Sequence, residues 1–396
     1  MKPVKYAGLT LKNPVIISSA TPAISAEAIR KGAQAGAAAV VTKSVIFPEA
    51  NGNPAGGYPR PRFQLYNSQK GYDPALTEKG GLFSLFRLGE PYPTPDKMER
   101  MLDEVKKMKD VDIPIIVSIC GSPVDYEQWR ELARRMENAG ADALEINMHA
   151  YPEIKYTDPL FVKVVKDEVK IPVICKLMSI HEDPATMGRK AEQAGADAIA
   201  ALGTFGLRGV ELNIETETPW MNMAHGMGGS WLRPVGLAFI ETLARTVRTP
   251  LSGVTGVQTW RDAVKYILLG ASTVQVCAAI YARGYKVITE IVDGLETYMR
   301  DHGYDSIADF RGRALANFKE QEYAPPIRAE VNPVKCAGCG KCGEICMFNA
   351  ITMQNKKAVV DEKCDGCGLC WSYCPARAIE PVRDEEGGIT RDCNGI

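Results

Sequence analysis

Two runs of cysteine near the end of the chain constrain its fold more than any other feature of the sequence. The 396-residue chain contains 12 cysteines, and eight of them lie between positions 336 and 374. Both runs have the spacing Cys-x2-Cys-x2-Cys-x3-Cys. Their members are Cys336, Cys339, Cys342, Cys346, Cys364, Cys367, Cys370 and Cys374. Such a repeat brings three thiols into one tight loop twice, and so predicts a segment built around its cysteines.

This spacing predicts a small α+β domain of the bacterial ferredoxin type, with two [4Fe–4S] clusters. In such runs the fourth cysteine binds the other cluster. One cluster therefore takes Cys374 with the first three cysteines of the first run, and the other takes Cys346 with the first three of the second. Disulfides and structural zinc are the competing interpretations. Disulfides need an oxidising compartment, and structural zinc usually takes separated pairs of ligands.

Composition excludes several other classes of protein. The chain is 45% hydrophobic and 24% charged, which is typical of a globular protein rather than a disordered or fibrous one. Its 47 Lys and Arg balance 48 Asp and Glu, so no basic excess indicates nucleic acid. No apolar stretch approaches roughly 18 residues, and the start MKPVKYAGLT lacks the apolar run of a signal peptide. We therefore expect no membrane contact and a cytoplasmic location.

The first 310 residues show a repeated helix-then-strand pattern. Four times, a Gly-Ala pair that closes a predicted helix is followed at once by an apolar strand; the glycines are Gly36, Gly140, Gly195 and Gly270. The predicted strands β1 to β8 cover 14–18, 39–43, 114–120, 143–147, 172–177, 197–202, 250–253 and 273–277. Most are continuously apolar, as expected of parallel strands buried on both faces. The pattern predicts an α/β fold, a TIM (β/α)8 barrel, followed by the ferredoxin domain.

The predicted domain limits are a barrel at 1–310, a linker at 311–330, the ferredoxin domain at 331–384 and a tail at 385–396. A doubly wound sheet is the alternative for the large domain, but no G-x-G-x-x-G follows the first strand. Two long segments, 51–90 after β2 and 206–231 after β6, follow strand ends and are predicted to cover the site.

Residues at the strand ends predict a flavin. Lys43 follows β2 and Lys176 lies in β5, and a buried lysine needs an anionic partner, either a ligand or a structural ion pair. Gly256 after β7 and Ala278 after β8 are small enough to let a phosphate approach the backbone. A flavin also converts two-electron hydride chemistry into the single-electron steps that clusters carry.

At this point the sequence resembles a known family. The barrel resembles the FMN barrel of dihydroorotate dehydrogenases, and the barrel with its eight-cysteine segment resembles the pyrimidine-reducing part of dihydropyrimidine dehydrogenase. The matching segments include Ser19-Ala-Thr-Pro22, Gly140-Ala-Asp-Ala-Leu-Glu-Ile-Asn147 and Gly270-Ala-Ser-Thr-Val-Gln-Val-Cys277. The resemblance implies FMN contacts at Ala20, Thr21, Lys43, Asn147, Lys176, Thr204, Gly229, Gly256, Cys277 and Ala278. It implies that Lys176 lies near the flavin N1–C2=O edge and that Asn147 faces flavin and substrate.

The departures from that family lie where the substrate is handled. In the family, the loop after β4 reads Asn-Leu-Ser-Cys-Pro, and its cysteine is the general acid/base opposite flavin N5. Here the loop reads Asn147-Met-His-Ala-Tyr-Pro152, with Ala150 at the place of the cysteine. Gly203 likewise replaces an asparagine that grips the pyrimidine. Because sites built to bond a substrate's polar groups discriminate sharply, we expect a changed substrate. His149, Tyr151, or else water or the substrate itself, is the candidate proton donor.

These features together predict an FMN and [4Fe–4S] oxidoreductase that reduces or forms an activated C=C bond, with hydride exchanged at flavin N5. The chain has no dinucleotide-binding loop, so its expected partner is a ferredoxin or an NAD(P)H–FAD subunit, in a homodimer or a larger hetero-oligomer. Two other hypotheses remain open at this stage. One is a dihydropyrimidine dehydrogenase subunit acting on uracil or thymine. The other is a non-catalytic electron-transfer subunit whose barrel is a scaffold.

Overall fold

The computed structural model divides the chain into two compact units, Met1–Asn317 and Phe318–Ile396. The division falls inside the predicted linker. The structure describes residues 1–47, 63–67, 83–87, 92–122, 124–147, 160–177, 183–203, 207–210, 212–213, 215–219, 225–318 and 327–383.

Eight parallel strands close into a barrel in the first unit, which confirms the predicted TIM fold and excludes the doubly wound sheet. Neighbours in the chain are neighbours around the barrel, and β8 pairs with β1. The strands are β1 Val15–Ile17, β2 Ala39–Val41, β3 Ile115–Ile119, β4 Ala143–Ile146, β5 Val173–Lys176, β6 Ala198–Ala201, β7 Leu251–Val254 and β8 Thr273–Val276. Every residue in them is buried.

Nine α-helices are described around this barrel. They are α1 Ala26–Gln34, α2 Pro95–Lys106, α3 Tyr126–Asn138, α4 Leu160–Lys166, α5 Pro184–Gln193, α6 Arg233–Thr246, α7 Trp260–Leu268, α8 Ala278–Arg283 and α9 Lys286–Asp301. Asp125 and Asp183 cap α3 and α5 by accepting backbone N–H groups of the first turn. The four predicted helix-ending glycines all have left-handed backbone, with φ between 88° and 105°.

The barrel unit also contains short helical turns and a small hairpin. The 3-10 turns are Thr21–Ala23, Ser230–Leu232, Ile307–Asp309 and Leu315–Asn317. An antiparallel hairpin, Val4–Tyr6 with Leu9–Leu11, precedes β1. No helix in the described ranges is long and apolar enough to cross a membrane.

The two segments predicted to cover the site share one antiparallel sheet. His225–Gly229 pairs on one side with Arg208–Gly209 and on the other with Phe83–Arg87, which in turn pairs with Phe63–Asn67. A second, two-stranded sheet joins Leu212–Asn213 to Thr218–Pro219. The insert after β2 and the insert after β6 are therefore held together by backbone hydrogen bonds, although β2 and β6 are not neighbours in the barrel.

The second unit has two similar halves. Strands β9 Ile327–Val331 and β12 Ile379–Arg383 form one antiparallel pair, and β10 Ile351–Gln354 and β11 Lys357–Val360 form another. Each cysteine run leads into a short helix, α10 Lys341–Glu344 or α11 Leu369–Tyr373. The apolar core is small: Ala329, Cys342, Ile351, Ala358, Cys370 and Ile379. Two of those six residues are cysteines, so the unit packs around its thiols.

Candidate active site and cysteine centre

A buried polar network joins three strands at the carboxyl half of the barrel. Lys176 Nζ donates to Glu145 Oε1 at 2.9 Å, to Gln275 Oε1 at 3.3 Å and to Ser18 Oγ at 3.4 Å. Gln275 Nε2 donates to the other Glu145 oxygen at 2.8 Å. All four side chains are buried. Lys176 therefore has an anionic protein partner, and the predicted structural ion pair exists here. Its ammonium is held in one place at the carboxyl end of β5.

A second buried group centres on Ser44, directly after Lys43. Asn147 Nδ2 donates to Ser44 Oγ at 3.3 Å, and that oxygen lies 2.9 Å from Ser118 Oγ and 3.3 Å from Ser19 Oγ. The group fixes the orientation of the predicted site residue Asn147. Sequence reasoning missed Ser44 and Ser118, although a serine inside the apolar strand β3 was a visible signal.

Lys43 is 2% exposed, and its Nζ lies 4.3 Å from the ring centroid of Tyr92. An ammonium at this distance over an aromatic face is attracted by the ring. Tyr92 precedes α2, so an aromatic ring from the loop after β2 lies beside the predicted lysine. Nothing in the local sequence marked Tyr92 as a site residue.

The loops after β7 and β8 have the small residues that a phosphate site requires. Gly256 has φ +73°, and a Cβ there would lie 2.6 Å from Arg233 Cβ and 2.7 Å from the Arg233 nitrogen. Arg233 is held by an ion pair of 2.9 Å to Asp262, whose other oxygen caps α7. Helix α8 begins at Ala278, directly after Cys277. Backbone N–H groups at a helix start favour an anion, so this donor set fits a flavin phosphate.

Three further predicted contacts lie in the described part of the barrel unit. Ala20 is buried, and the adjacent Thr21 hydroxyl is buried with no hydrogen-bond partner among the described residues. Buried polar atoms without a partner are costly, and a bound cofactor would satisfy this one. Gly229 is buried, with φ +129°, at the end of the sheet that joins the two inserts. The residues His149, Ala150, Tyr151 and Thr204 lie outside the described residues, and their roles stay predictions.

In the second unit, four cysteines line one cavity. They are Cys336, Cys339 and Cys342 of the first run and Cys374 of the second. This is the set predicted from the exchange of fourth ligands. In the described part of the chain, no three His, Cys, Asp or Glu side chains converge closely enough to hold one metal ion. Three cysteines of one run joined by the fourth of the other fit a cubic cluster better than a structural zinc ion, which usually takes separated pairs of ligands.

Backbone N–H groups point at the sulfurs. Ala350 N and Ala378 N donate to Cys346 Sγ and Cys374 Sγ, both at 3.3 Å. The N–H groups of Ala358 and Gly338, helped by the charge of Lys357, lower the pKa of Cys336. Burial has the opposite effect at the third cysteine of each run and raises its pKa. Such hydrogen bonds favour thiolates, the form that binds metal.

Comparison with known proteins agrees with this geometry. Residues 1–299 match the family model of dihydroorotate dehydrogenase, and residues 358–380 match that of the 4Fe-4S binding domain. The chain belongs to the dihydroorotate dehydrogenase family. The match to the iron–sulfur domain includes the second cysteine run, whose ligand loop lies at 364–374.

Three relatives each match most of the chain. The catalytic subunit of dihydroorotate dehydrogenase B (NAD(+)) from Pyrococcus abyssi is 34% identical over 80% of the chain and 99% of its own length. The protein of the same name from Thermococcus kodakarensis is 34% identical over 79% of the chain and 97% of its own length. The NAD-dependent dihydropyrimidine dehydrogenase subunit PreA from Escherichia coli K12 is 29% identical over 86% of the chain and 84% of its own length.

Family membership fixes the reaction class. The chain is an oxidoreductase that acts on CH–CH groups. The dihydroorotate dehydrogenase family implies a flavin in the barrel, and the second domain implies a [4Fe–4S] cluster.

Proposed function

We propose that this chain binds FMN and two [4Fe–4S] clusters and reduces, or forms, an activated C=C bond in a small molecule. The observation that carries the proposal is the cavity in which Cys374 joins Cys336, Cys339 and Cys342. This cavity uses one cysteine of the second run, which leaves Cys346 with the other three for a second cluster. Two clusters attached to a flavin barrel are a device for moving single electrons to or from the flavin.

The barrel residues would hold FMN in defined ways. Lys176, fixed by Glu145 and Gln275, would stabilise negative charge at the N1–C2=O edge of the ring. Gly256, Cys277 and Ala278 would bind the phosphate. The remaining proposed contacts are Ala20, Thr21, Lys43, Asn147, Thr204 and Gly229. Bound FMN supplies hydride exchange at N5 and single-electron exchange with the clusters.

We propose a substrate other than a pyrimidine, because the sequence has Ala150 where the family has its proton-donating cysteine. No thiol at this position can move a proton. His149 is the proposed proton donor and Tyr151 the second candidate, since both are within one residue of Ala150 and can carry a proton near neutral pH or at a flavin face. The buried orientation of Asn147 supports a substrate site at the same loop.

Pyrimidine reduction is the second candidate function. It is favoured by the relative named as a dihydropyrimidine dehydrogenase subunit, which matches 86% of the chain. The barrel unit is about 80% of the chain (317 of 396 residues), so that match includes part of the cysteine unit.

The relatives are named as subunits, which supports a hetero-oligomer with an NAD-linked partner or a ferredoxin. A homodimer of this chain is compatible with the same names. We propose a cytoplasmic location, with no nucleic acid and no membrane as partner.

The proposal is tested by reducing the purified protein with dithionite, removing the excess, and following flavin absorbance as candidate oxidants are added. We expect an enoyl-type compound to restore the oxidised flavin spectrum and uracil, thymine and orotate to fail. Rapid reoxidation by uracil would support the second candidate function instead. Failure of every oxidant other than oxygen would support the scaffold hypothesis.

The proton donor is tested separately. His149→Gln should slow turnover about 100-fold or more, because general acid catalysis contributes roughly that factor, and Tyr151→Phe should slow it less. Flavin reduction by dithionite is the control, since it needs no substrate proton. Full turnover by His149→Gln would remove His149 from this role. An Ala150→Cys variant that gains uracil reduction would support a changed substrate.

A further inference from the structure

The two cysteine runs agree in two properties that set the reduction potential of a cluster. In each run the first and fourth cysteines are partly exposed, the second is exposed and the third is buried. The fourth cysteine of each run accepts an N–H bond of 3.3 Å from the residue four positions later. Burial and hydrogen bonds to sulfur are main determinants of cluster potential. Exposure and the bond to the fourth cysteine are therefore the same in both runs, so we look to another source for a difference between the clusters.

That source is charge. The runs are offset by 28 residues (364 minus 336), so equivalent positions can be compared directly. The first loop has Ala337, Lys341 and Glu344, with no net charge. The second has Asp365, Leu369 and Ser372 in their places, with one negative charge. Lys341 also lines the cavity around the first three cysteines, whereas its equivalent Leu369 is apolar.

A second lysine is attached to the first run from outside it. Lys357 begins β11, is partly buried, and its Nζ donates to the carbonyl oxygen of Cys336 at 2.7 Å. The hairpin that contains Lys357 lies close against this loop, because a Cβ on Gly338 would be 2.3 Å from the carbonyl oxygen of Lys356. The positive charge is thus fixed beside the cluster-binding loop.

In the other half of the unit, Arg328 is the basic residue that corresponds to Lys357. Ala329 N donates to Cys364 Sγ at 3.4 Å, and Arg328 directly precedes Ala329, as Lys357 precedes Ala358 in the first half. The Arg328 side chain is exposed. Solvent and salt screen an exposed charge more than a partly buried one. The second cluster therefore gains less from its neighbouring cation.

We propose that the cluster held by Cys336, Cys339, Cys342 and Cys374 has the higher reduction potential of the two, and that Lys357 raises it. This inference rests on the proposed function, since it requires two clusters. Reduction adds one electron to a cluster, forms no bond and takes up no proton. The added negative charge is stabilised by Lys357 and Lys341 at the first cluster and opposed by Asp365 at the second. Electron transfer from the second cluster to the first is therefore downhill.

The test is a potentiometric titration of the anaerobically purified full-length holoenzyme, followed by EPR of the reduced clusters. We expect two waves. Lys357→Gln should lower the higher wave, so that the ratio of reduced to oxidised cluster at a fixed potential falls about threefold, or roughly 30 mV at 59 mV per tenfold. The lower wave should not move. Lys357→Arg, which keeps the charge, should retain the wild-type potentials.

Arg328→Gln is the matched control, and it should move either wave by less than half of that shift. The inference is overturned if Lys357→Gln moves only the lower wave or neither wave, or if Arg328→Gln has the larger effect. Lys341→Gln provides a second test, with the same wave expected to fall, if Lys357→Gln does not assemble. Iron content separates the two failures: about four irons per chain would refute the two-cluster function itself, whereas about eight with no selective shift refutes only this inference.

Discussion

The two units differ in what lies at their centres. In the barrel unit, a buried lysine, Lys176, is neutralised by other protein side chains. In the cysteine unit, cysteines themselves form part of the core. Lys176 and Glu145 are 2.9 Å apart inside a large apolar core. The second unit has a core of six residues, two of them cysteines. Domains with so few buried apolar side chains generally need disulfides or metals to be stable. We therefore expect the barrel to fold without its cofactor and the cysteine unit to need its clusters.

The largest expected effect is that of removing the clusters. Anaerobic treatment with an iron chelator should unfold the second unit, because binding free energy is folding free energy in small metal-centred domains. Hydrogen exchange should then show loss of protection across β9 to β12 and unchanged protection in β1 to β8. Protection retained in both units would contradict the comparison.

A single ligand variant sharpens the same point. Cys374→Ser should lower the iron content and destabilise both halves, because Cys374 of the second run lines the cavity together with the first three cysteines of the first run. Cys393→Ser is the matched control, since Cys393 lies outside both runs and has no proposed role. Equal iron content in the two variants would count against the exchanged ligand set.

In the barrel, the corresponding test removes one partner of the buried ion pair. Lys176→Met should destabilise the fold by about 3–5 kcal/mol, since it leaves the Glu145 carboxylate buried and uncompensated. Combining it with Glu145→Gln should recover most of that loss. Lys166→Met, which removes a partly exposed pair with Asp197, should cost only about 0–1 kcal/mol. Chemical denaturation of the flavin-free protein measures all three, and equal losses in Lys176→Met and Lys166→Met would refute the buried-network account.

A smaller effect is expected at the phosphate loop. Gly256→Ala should destabilise by about 1–3 kcal/mol for the left-handed backbone, with a further loss from the contact with Arg233. It should weaken FMN binding more than riboflavin binding, because only FMN carries the phosphate. Gly195→Ala isolates the backbone cost, since its φ is +88° and nothing lies within 4 Å of the added carbon. Equal losses of FMN and riboflavin affinity would argue against a phosphate at Gly256.

The smallest effect concerns thiol reactivity. Burial, helped by the charge of Glu145, raises the pKa of the Cys175 thiol to about 12. Because thiolates are the reactive form, Cys175 should stay unmodified by iodoacetamide at pH 8 in the folded, flavin-free protein, while the partly exposed Cys277 reacts faster. Peptide mass spectrometry after a short exposure measures this. Faster modification of Cys175 than of Cys277 would show that β5 opens readily.

Much of this architecture was predictable from the sequence, because the signals are local. The cysteine spacing predicts the four residues that line the cavity together, and Asp125 and Asp183, which cap α3 and α5, are of a residue type that favours helix starts. Five predicted strands begin one residue too early, and four of these begin at a proline, Pro14, Pro114, Pro172 and Pro250. Each proline carbonyl accepts a ladder hydrogen bond, but proline has no N–H to donate. The strands therefore start at the following residue.

The missed features depend on contacts between distant segments. Glu145 was visible as a charge in an apolar strand, but its pairing with Lys176 requires the register between β4 and β5. Tyr92 reaches Lys43 only through the fold, and the sheet that joins Phe83–Arg87 to His225–Gly229 links segments more than 130 residues apart. No periodicity or motif in either segment encodes the other.

An anaerobic reductive titration, combined with iron and flavin analysis, tests the central claim most directly. The account predicts one FMN, about eight irons and about four electrons per chain, two for the flavin and one for each cluster. An uptake of only two or three electrons by protein that is fully loaded with both cofactor types would contradict the account. So would an iron content of about four per chain, because the account requires two clusters that exchange electrons with the flavin.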